Sequence, residues 1–370
     1  MIKIMIVAGL GASLVLFRGD MIKSWLKKGF KVVAAAPGSD VEEQLKNMGA
    51  AYHSIPLNRT GLNPFADLVL FLQLRKLLKR EKPGYLFCYT AKPVIFGSLA
   101  AFFNRKIRVF VMITGLGYVF SAGSVKGLLL KKLISWLYRI ALSRSEKVFF
   151  QNPDDLEEFL KLKIIRQDKA ILINGSGVNI DNFSPRPLPQ SQISFLMIAR
   201  LLREKGVNEY IEAARIVKNR QPQARFVLVG WSFSDNPSAI GPDQIEMWKH
   251  EGIVEIYGET KDVRPYIADS SVYVLPSYRE GTPRTVLEAM AMGRPIITTD
   301  VPGCRETVRD GLNGFLVSVK DSNALAEAME KMIREPNLLA QMGTESRKLA
   351  EQKYDVHKVN RVINQEMGIN

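Results

Sequence analysis

The sequence predicts an α/β protein of two doubly wound domains facing a central cleft, each a parallel sheet with helices on both sides. Three observations carry this. Short β-branched, apolar runs alternate with longer helical patterns along the whole chain. The strand runs are apolar on both faces, which calls for cover on both sides. The alternation breaks once, near the middle, at a stretch dense in Gly, Asn, Ser and Pro. A chain of 370 residues suits two domains of roughly 150–200 residues each.

Taken in order, the first strand is expected at 2–8, running into Gly9-Leu10-Gly11-Ala12-Ser13-Leu14. Strands follow at 31–36, 52–57, 85–89, 109–113, 147–150 and 170–173, with helices at 20–28, 41–48, 64–80 and 126–142 between them. The segment 174–192 reads NGSGVNIDNFSPRPLPQSQ. Its prolines 185, 187 and 189 exclude helix and favour an extended linker. Beyond it, strands are expected at 193–198, 225–229, 253–256, 272–275, 295–298 and 314–317, and helices at 206–219, 283–292, 323–334 and 337–351. The domains are therefore set at 1–177 and 178–353, with a terminal helix at 354–370 packing back on the first. A ligand of such a pair sits at the strand C-termini, in the cleft.

Charge is uneven. The net charge is +14; residues 1–180 hold 27 Lys and Arg against 12 Asp and Glu, and the remainder is nearly balanced. An excess confined to one half points to an anionic partner for that half. Cys88 and Cys304 are too few for a disulfide framework, and His53, His250 and His357 stand far apart. No His/Cys metal site is expected. The longest uncharged run, 109–125, is interrupted by Gly115, Gly117 and Gly123 and is short of a membrane span. The apolar N-terminus has glycines at 9 and 11, then Arg18, and no A-x-A pattern; it reads as a first strand and its loop rather than a signal peptide.

The glycine loop is a poor dinucleotide fingerprint, because Leu14 stands at the third glycine position and no helix is expected at once. A close approach of backbone to phosphate and a plain tight turn both remain open for it. The segment 275–292, LPSYREGTPRTVLEAMAM, says more. A buried strand ends at Leu275, Glu280 lies in the connection, Thr282 suits an N-cap and Pro283 a first helical position. The amides of Arg284 and Thr285 then precede any intrahelical acceptor, at the positive end of the helix dipole. Glu288 falls one turn on. Amides flanked by two carboxylates suit a sugar diphosphate; a cap and a solvated helix residue is the other reading of the same pattern. Arg200 and Lys205 leave the end of the strand at 193–198, where two cations can clamp a diphosphate.

Glu280 and Glu288 with seven residues between, preceded by Arg200 and Lys205, resemble the signature of retaining glycosyltransferases of the GT-B fold (two Rossmann-like domains) that carry the EX7E motif. The likeness extends to the first glycine loop and to Gly177-Val178-Asn179 with Phe183-Ser184-Pro185. Thr90-Ala91-Lys92-Pro93-Val94-Ile95-Phe96-Gly97 and Thr114-Gly115-Leu116-Gly117-Tyr118-Val119-Phe120 resemble bacterial enzymes that extend polyprenyl-diphosphate-linked sugars for O-antigen, capsule or protein glycan.

The resemblance implies that Arg200 and Lys205 hold the donor diphosphate and stabilise the leaving group. It implies that Glu280 contacts the transferred sugar, that Glu288 contacts the nucleotide ribose, and that Gly11 lets the first loop close over the diphosphate. Thr282, Arg284 and Thr285 complete the donor-binding set. A sugar, N-acetylhexosamine or hexose, would pass with retention from a nucleotide sugar, expected to be UDP-linked, to an undecaprenyl-diphosphate-linked saccharide. No Asp-x-Asp triplet occurs, and the family does not usually need a metal; no cofactor is expected. Many relatives carry a histidine after the fourth strand, where this chain has Thr90-Ala91-Lys92, so no histidine role transfers. Pro283 also removes one amide from the helix start.

Arg18, Lys92 and Tyr118 are the expected acceptor ligands. The run 126–147, KGLLLKKLISWLYRIALSRSEK, sets six cations among Leu, Ile, Trp136 and Tyr138. Each cation near an anionic bilayer contributes about 1 kcal/mol, so an apolar stripe turned inward and a basic edge turned outward fit a membrane surface. The protein is therefore expected in the cytoplasm, peripheral on the inner face of the cell membrane. A nucleotide-sugar epimerase of the same architecture is the alternative. A nucleic-acid-binding protein lacks its recognition signatures here, and a periplasmic sugar-binding protein lacks its signal sequence.

Overall fold

The structure, a computed structural model, describes residues 2–58, 63–116, 125–190, 192–232, 236 and 238–369. The chain forms two compact units: Met1–Ser176 with His357–Asn370, and Gly177–Val356.

In the first unit the chain runs β1 (Lys3–Val7), α1 (Gly11–Leu16), α2 (Gly19–Lys27), β2 (Lys31–Ala36), α3 (Glu42–Asn47), β3 (Ala51–Ser54), α4 (Pro64–Glu81) and β4 (Tyr85–Tyr89). A π-helical stretch, Pro93–Gly97, leads into α5 (Ser98–Ala101), then β5 (Arg108–Ile113), α6 (Val125–Leu142), β6 (Lys147–Phe150), α7 (Pro153–Lys161) and β7 (Ala170–Leu172). Among the described residues the sheet has seven parallel strands in the order β3-β2-β1-β4-β5-β6-β7.

Side-chain alternation along β1 builds two cores. Met5 and Val7 join Leu70, Leu74, Leu77 and Leu78 of α4 and Tyr138, Ala141 and Leu142 of α6. Ile4 and Ile6 join Trp25 of α2, Leu45 of α3 and Val359 and Ile363 near the C-terminus. Trp25 Nε1 donates to Asn364 Oδ1 at 2.8 Å, which keys the terminal helix to this face. Asn63 caps α4, accepting from the amides of Phe65 and Ala66, and Pro64 takes the first helical position.

The second unit runs β8 (Ser194–Ile198), α8 (Val207–Arg220), β9 (Arg225–Val229), α9 (Pro242–Glu251), β10 (Glu255–Tyr257), α10 (Arg264–Ala268), β11 (Val272–Leu275), α11 (Arg284–Ala291), β12 (Ile296–Thr299), β13 (Gly314–Val317), α12 (Ser322–Arg334) and α13 (Asn337–Leu349). The terminal helix α14 (Val356–Met367) carries the chain back to the first unit. Among the described residues the second sheet has six parallel strands in the order β10-β9-β8-β11-β12-β13. Arg294 is fully buried and ties the linker to the end of α10, donating to the carbonyls of Arg186, Pro187, Ile267 and Ala268.

Both sheets are therefore doubly wound and Rossmann-like, as the GT-B fold requires. Two local expectations are corrected. A helix does start at once after the first glycine loop, because Gly11 opens α1. Pro283, not Thr282, holds the N-cap position of α11: its φ of −71° and ψ of 112° are extended, and the helix begins at Arg284. No helix among the described residues is long and apolar enough to cross a membrane.

Candidate functional site

Strand order reverses between β8 and β11 in the second unit, and between β1 and β4 in the first. In open parallel sheets such a switch point leaves a crevice beyond the strand C-termini, where ligands bind. Arg200 and Lys205 follow β8, and Glu280 follows β11. Gly11 follows β1, and Lys92 follows β4.

Three loops of the second unit are stitched together at its switch point. The turn Arg203–Lys205 meets the loop after β11 through the Tyr278 amide, which donates to the Glu204 carbonyl at 2.9 Å. Gly206 permits this approach: its φ is +74°, and a Cβ there would lie 2.1 Å from the Pro276 carbonyl oxygen. The loop after β12 closes the other side, where the Glu280 amide donates to the Pro302 carbonyl at 3.0 Å. A Cβ on Gly303, whose φ is +81°, would lie 2.3 Å from the Glu280 carbonyl oxygen.

Inside this frame Glu280 Oε1 accepts from the Lys205 ammonium and, at 2.8 Å, from Ser277 Oγ. Ser277 is itself buried and held by Thr299, whose hydroxyl donates to the Ser277 carbonyl. One ammonium proton serves Glu280 and the other two face no partner among the described residues, so Lys205 can serve a phosphate as well. Arg200 is half-buried, and its guanidinium has no partner among the described residues.

Glu288 is buried on α11 and its Oε1 accepts from Arg284 Nε at 2.9 Å. Burial pushes its carboxyl up from the ordinary value, Arg284 opposes this, and Asp262 adds to it. The second carboxylate oxygen has no partner among the described residues. The Pro283 carbonyl accepts from the amides of Val286 and Leu287, so the amides of Arg284 and Thr285 precede the first intrahelical bond. Thr282 lies half-buried just before them, and no acidic residue occupies the first turn of α11. The arrangement presents two cations, a helix start and two ordered carboxylates. It can receive an anionic diphosphate and hydrogen-bond to the hydroxyls of its substituents.

Cys304 lies behind Glu280 with its thiol pushed up to about 12, mainly by burial and further by the Glu280 charge. It is a neutral core group rather than a nucleophile.

In the first unit Gly11 is buried against the Pro37 carbonyl and Val41, each 3.2 Å from where a Cβ would stand. Lys92 is paired with Asp67 of α4 at 2.7 Å. Arg18 is 1% exposed; its guanidinium lies 5.1 Å from the centre of the Tyr89 ring and contacts the Met112 sulfur. It therefore stands beneath the surface rather than on it. Tyr118 lies outside the described residues.

Sequence reasoning missed Ser277, Gly206 and Gly303. The glycines follow charged or proline turns, as many surface glycines do, and only the approach of a second loop gives them their role. Ser277 stands three residues before Glu280 at the end of a buried strand, a spacing that carried a signal.

Two doubly wound sheets, each in a part of the chain matched by a glycosyltransferase family model, make this a glycosyltransferase of the GT-B fold. Two family models match the chain and between them cover most of it: "Glycosyl transferase 4-like" over residues 3–152 and "Glycosyl transferases group 1" over residues 179–349. It is 28% identical over 341 residues to the N,N'-diacetylbacillosaminyl-diphospho-undecaprenol alpha-1,3-N-acetylgalactosaminyltransferase of Campylobacter jejuni, covering 89% of this chain and 88% of that one. It is 26% identical over 292 residues to the UDP-Gal:alpha-D-GlcNAc-diphosphoundecaprenol alpha-1,3-galactosyltransferase of Escherichia coli, covering 75% and 73%. Among solved structures, HepE of Anabaena in complex with UDP-glucose matches all of both chains with a TM-score of 0.81 at 19% identity.

Proposed function

We propose that this glycosyltransferase moves an N-acetylhexosamine or hexose from a UDP-sugar, with retention of anomeric configuration, to an undecaprenyl-diphosphate-linked saccharide. The observation that carries the reading is the pair of carboxylates either side of the α11 start, Glu280 set by Lys205 and Ser277 and Glu288 set by Arg284. The names of the C. jejuni and E. coli relatives both contain a diphospho-undecaprenol acceptor. UDP is supported by the E. coli name and by the UDP-glucose held by HepE. No relative reported above is an epimerase, and that alternative has no support.

In this reading Arg200, Lys205 and the amides of Arg284 and Thr285 receive the charge that develops on the departing diphosphate. Preorganised donors act there without the reorganisation that water requires. Glu280, already ordered, accepts from hydroxyls of the transferred sugar, and Glu288 from those of the ribose. A metal is not needed, because cations and amides fill its role. The protein works on the cytoplasmic face of the cell membrane, where nucleotide sugars and a lipid-borne acceptor meet.

The test is incubation of the purified chain with UDP-sugars and a short-chain polyprenyl-diphosphate-linked saccharide. The expected result is acceptor-dependent release of UDP and an α-linked product from an α-linked donor, assigned by NMR. A product of inverted configuration, or UDP release indifferent to acceptor, overturns the reading.

A further inference from the structure

Large apolar side chains of the first unit stand in solvent on three neighbouring elements. On α4 these are Phe65, which is 82% exposed, with Leu68, Val69 and Leu72. Their spacing traces one stripe turned away from the buried Leu70, Leu74, Leu77 and Leu78. Just past α5, Phe103 is 83% exposed. On α6 the exposed set is Leu128, Leu129, Leu133 and Trp136, with Leu129 at 72% and Trp136 at 55%. Both α4 and α6 pack on α5 and on the π-helical stretch, and all of them cover the same face of the sheet. The exposed sets therefore open on one side of the unit. A patch of this extent marks an interaction surface.

Its border is cationic. Arg75, Lys76 and Lys79 follow the α4 stripe, Arg105 and Lys106 follow Phe103, and Lys132 lies within the α6 stripe; all are exposed. The acids of α4 are engaged, Asp67 with Lys92 and Glu81 with Lys3, and α6 has none. A second copy of this chain would set cations against cations. A bilayer rich in anionic headgroups complements both features, the apolar centre and the basic rim.

We propose that the outer faces of α4 and α6, with Phe103 between them, seat the protein on an anionic bilayer, the apolar side chains entering the headgroup boundary and the cations remaining at the phosphates. This rests on the reading of the acceptor as lipid-borne, and it adds an inserted element, α4, to the basic edge of α6 that the sequence pointed to. Insertion has a signature that a purely electrostatic contact lacks. Salt screens the cations but leaves apolar burial in place.

The experiment is flotation of the full chain with vesicles of phosphatidylglycerol and phosphatidylcholine, and with phosphatidylcholine alone. The chain is expected to float with the anionic vesicles and to keep part of that binding at about 1 M salt, where the Debye length falls to about 3 Å. The triple variant Phe65→Ser, Leu68→Ser, Leu72→Ser is expected to partition at least about tenfold more weakly and to lose the salt-resistant part. Phe103→Ser and Trp136→Ser are expected to weaken it in the same sense. Unchanged melting temperatures verify that these exposed substitutions leave the fold intact. Wild-type chain that stays in the aqueous fraction overturns the proposal, as do variants that float like wild type. A wild-type dimer abolished by the triple variant overturns it in favour of a second copy. Turnover of a water-soluble short-chain acceptor without vesicles separates the two readings. Turnover there with no vesicle binding sinks only the docking surface; vesicle binding with no turnover sinks only the proposed reaction.

Discussion

Lys205 and Glu280, 75 residues apart in sequence, form a direct ion pair at the switch point of the second sheet. The pair orders both partners before any substrate arrives: the ammonium is fixed over the loop after β11, and one carboxylate oxygen is committed. Removing one partner strands the other in a mostly buried position. Glu280→Ala and Lys205→Ala are each expected to lower kcat by about a hundredfold or more, in line with roughly 2.7–4 kcal/mol for one charge-stabilising group. The double variant is expected to lose less than the product of the single losses, because contacting residues couple. Strictly multiplicative losses would show that the two act separately.

Gly303 tests the frame rather than the charge. Its φ of +81° and the 2.3 Å between a built Cβ and the Glu280 carbonyl oxygen leave no room for alanine. Gly303→Ala is expected to cost about 1–3 kcal/mol from left-handed strain alone, seen as a melting temperature lower by several degrees. It is also expected to depress kcat at temperatures where the variant is fully folded, because the Glu280 loop must move. A variant with lower stability and unchanged kcat would release Gly303 from any role in the site.

The alternation of β-branched runs and helices made both sheets legible, since strands such as β1 and β8 are buried on both faces and declare it in every residue. The pair Glu280 and Glu288 was legible because both lie on one strand-loop-helix segment. Short helices were less so: α7, α9 and α10 are polar on their outer faces and add few apolar positions to a periodic count. The start of α11 was misjudged by one residue because Pro283 suits either side of a helix boundary. Arg18 was misleading for a different reason. A cation after a strand usually reaches solvent, and nothing local in the sequence shows that Tyr89 and Met112, one and two strands over in the sheet, enclose it.

Arg18 and Lys92 should therefore part company when tested. Lys92 lies beside the β4 end with its ammonium on Asp67, partly accessible. Lys92→Ala is expected to raise the acceptor KM about tenfold or more with little effect on the donor KM, through loss of one phosphate contact of about 1.5–3 kcal/mol. Arg18→Ala is expected to lower the melting temperature, since it opens a cavity beneath Tyr89. An unchanged acceptor KM in Lys92→Ala removes that residue from the acceptor site. An Arg18→Ala protein of wild-type stability with a raised acceptor KM returns Arg18 to it.

Metal dependence is checked directly. On the proposed reading, in which Arg200, Lys205 and the α11 amides meet the diphosphate, turnover is expected to persist after exhaustive treatment with a chelator. Loss of activity that added magnesium or manganese restores would assign the diphosphate charge to a metal instead.

Glu288 gives a dependence on pH whose sign is fixed by its surroundings. Its folded pKa is raised above the ordinary 4.5, chiefly by burial, with Arg284 pulling the other way and Asp262 adding to the rise. The folded protein thus holds a proton at this site more tightly than the unfolded chain does. Between about 4.5 and the raised folded value, stability falls as pH increases; above that window the full cost of burying the charge is present. Glu288→Gln keeps the shape and the hydrogen bond from Arg284 but removes the titration. The variant is expected to melt above wild type at pH 8, and the gap is expected to close as the pH is lowered toward about 4.5. Its donor KM is expected to rise, because an amide accepts from ribose hydroxyls more weakly than a carboxylate does. Melting curves of the two proteins that stay parallel across this range would mean that Glu288 is ionised in the fold at no cost, held entirely by Arg284.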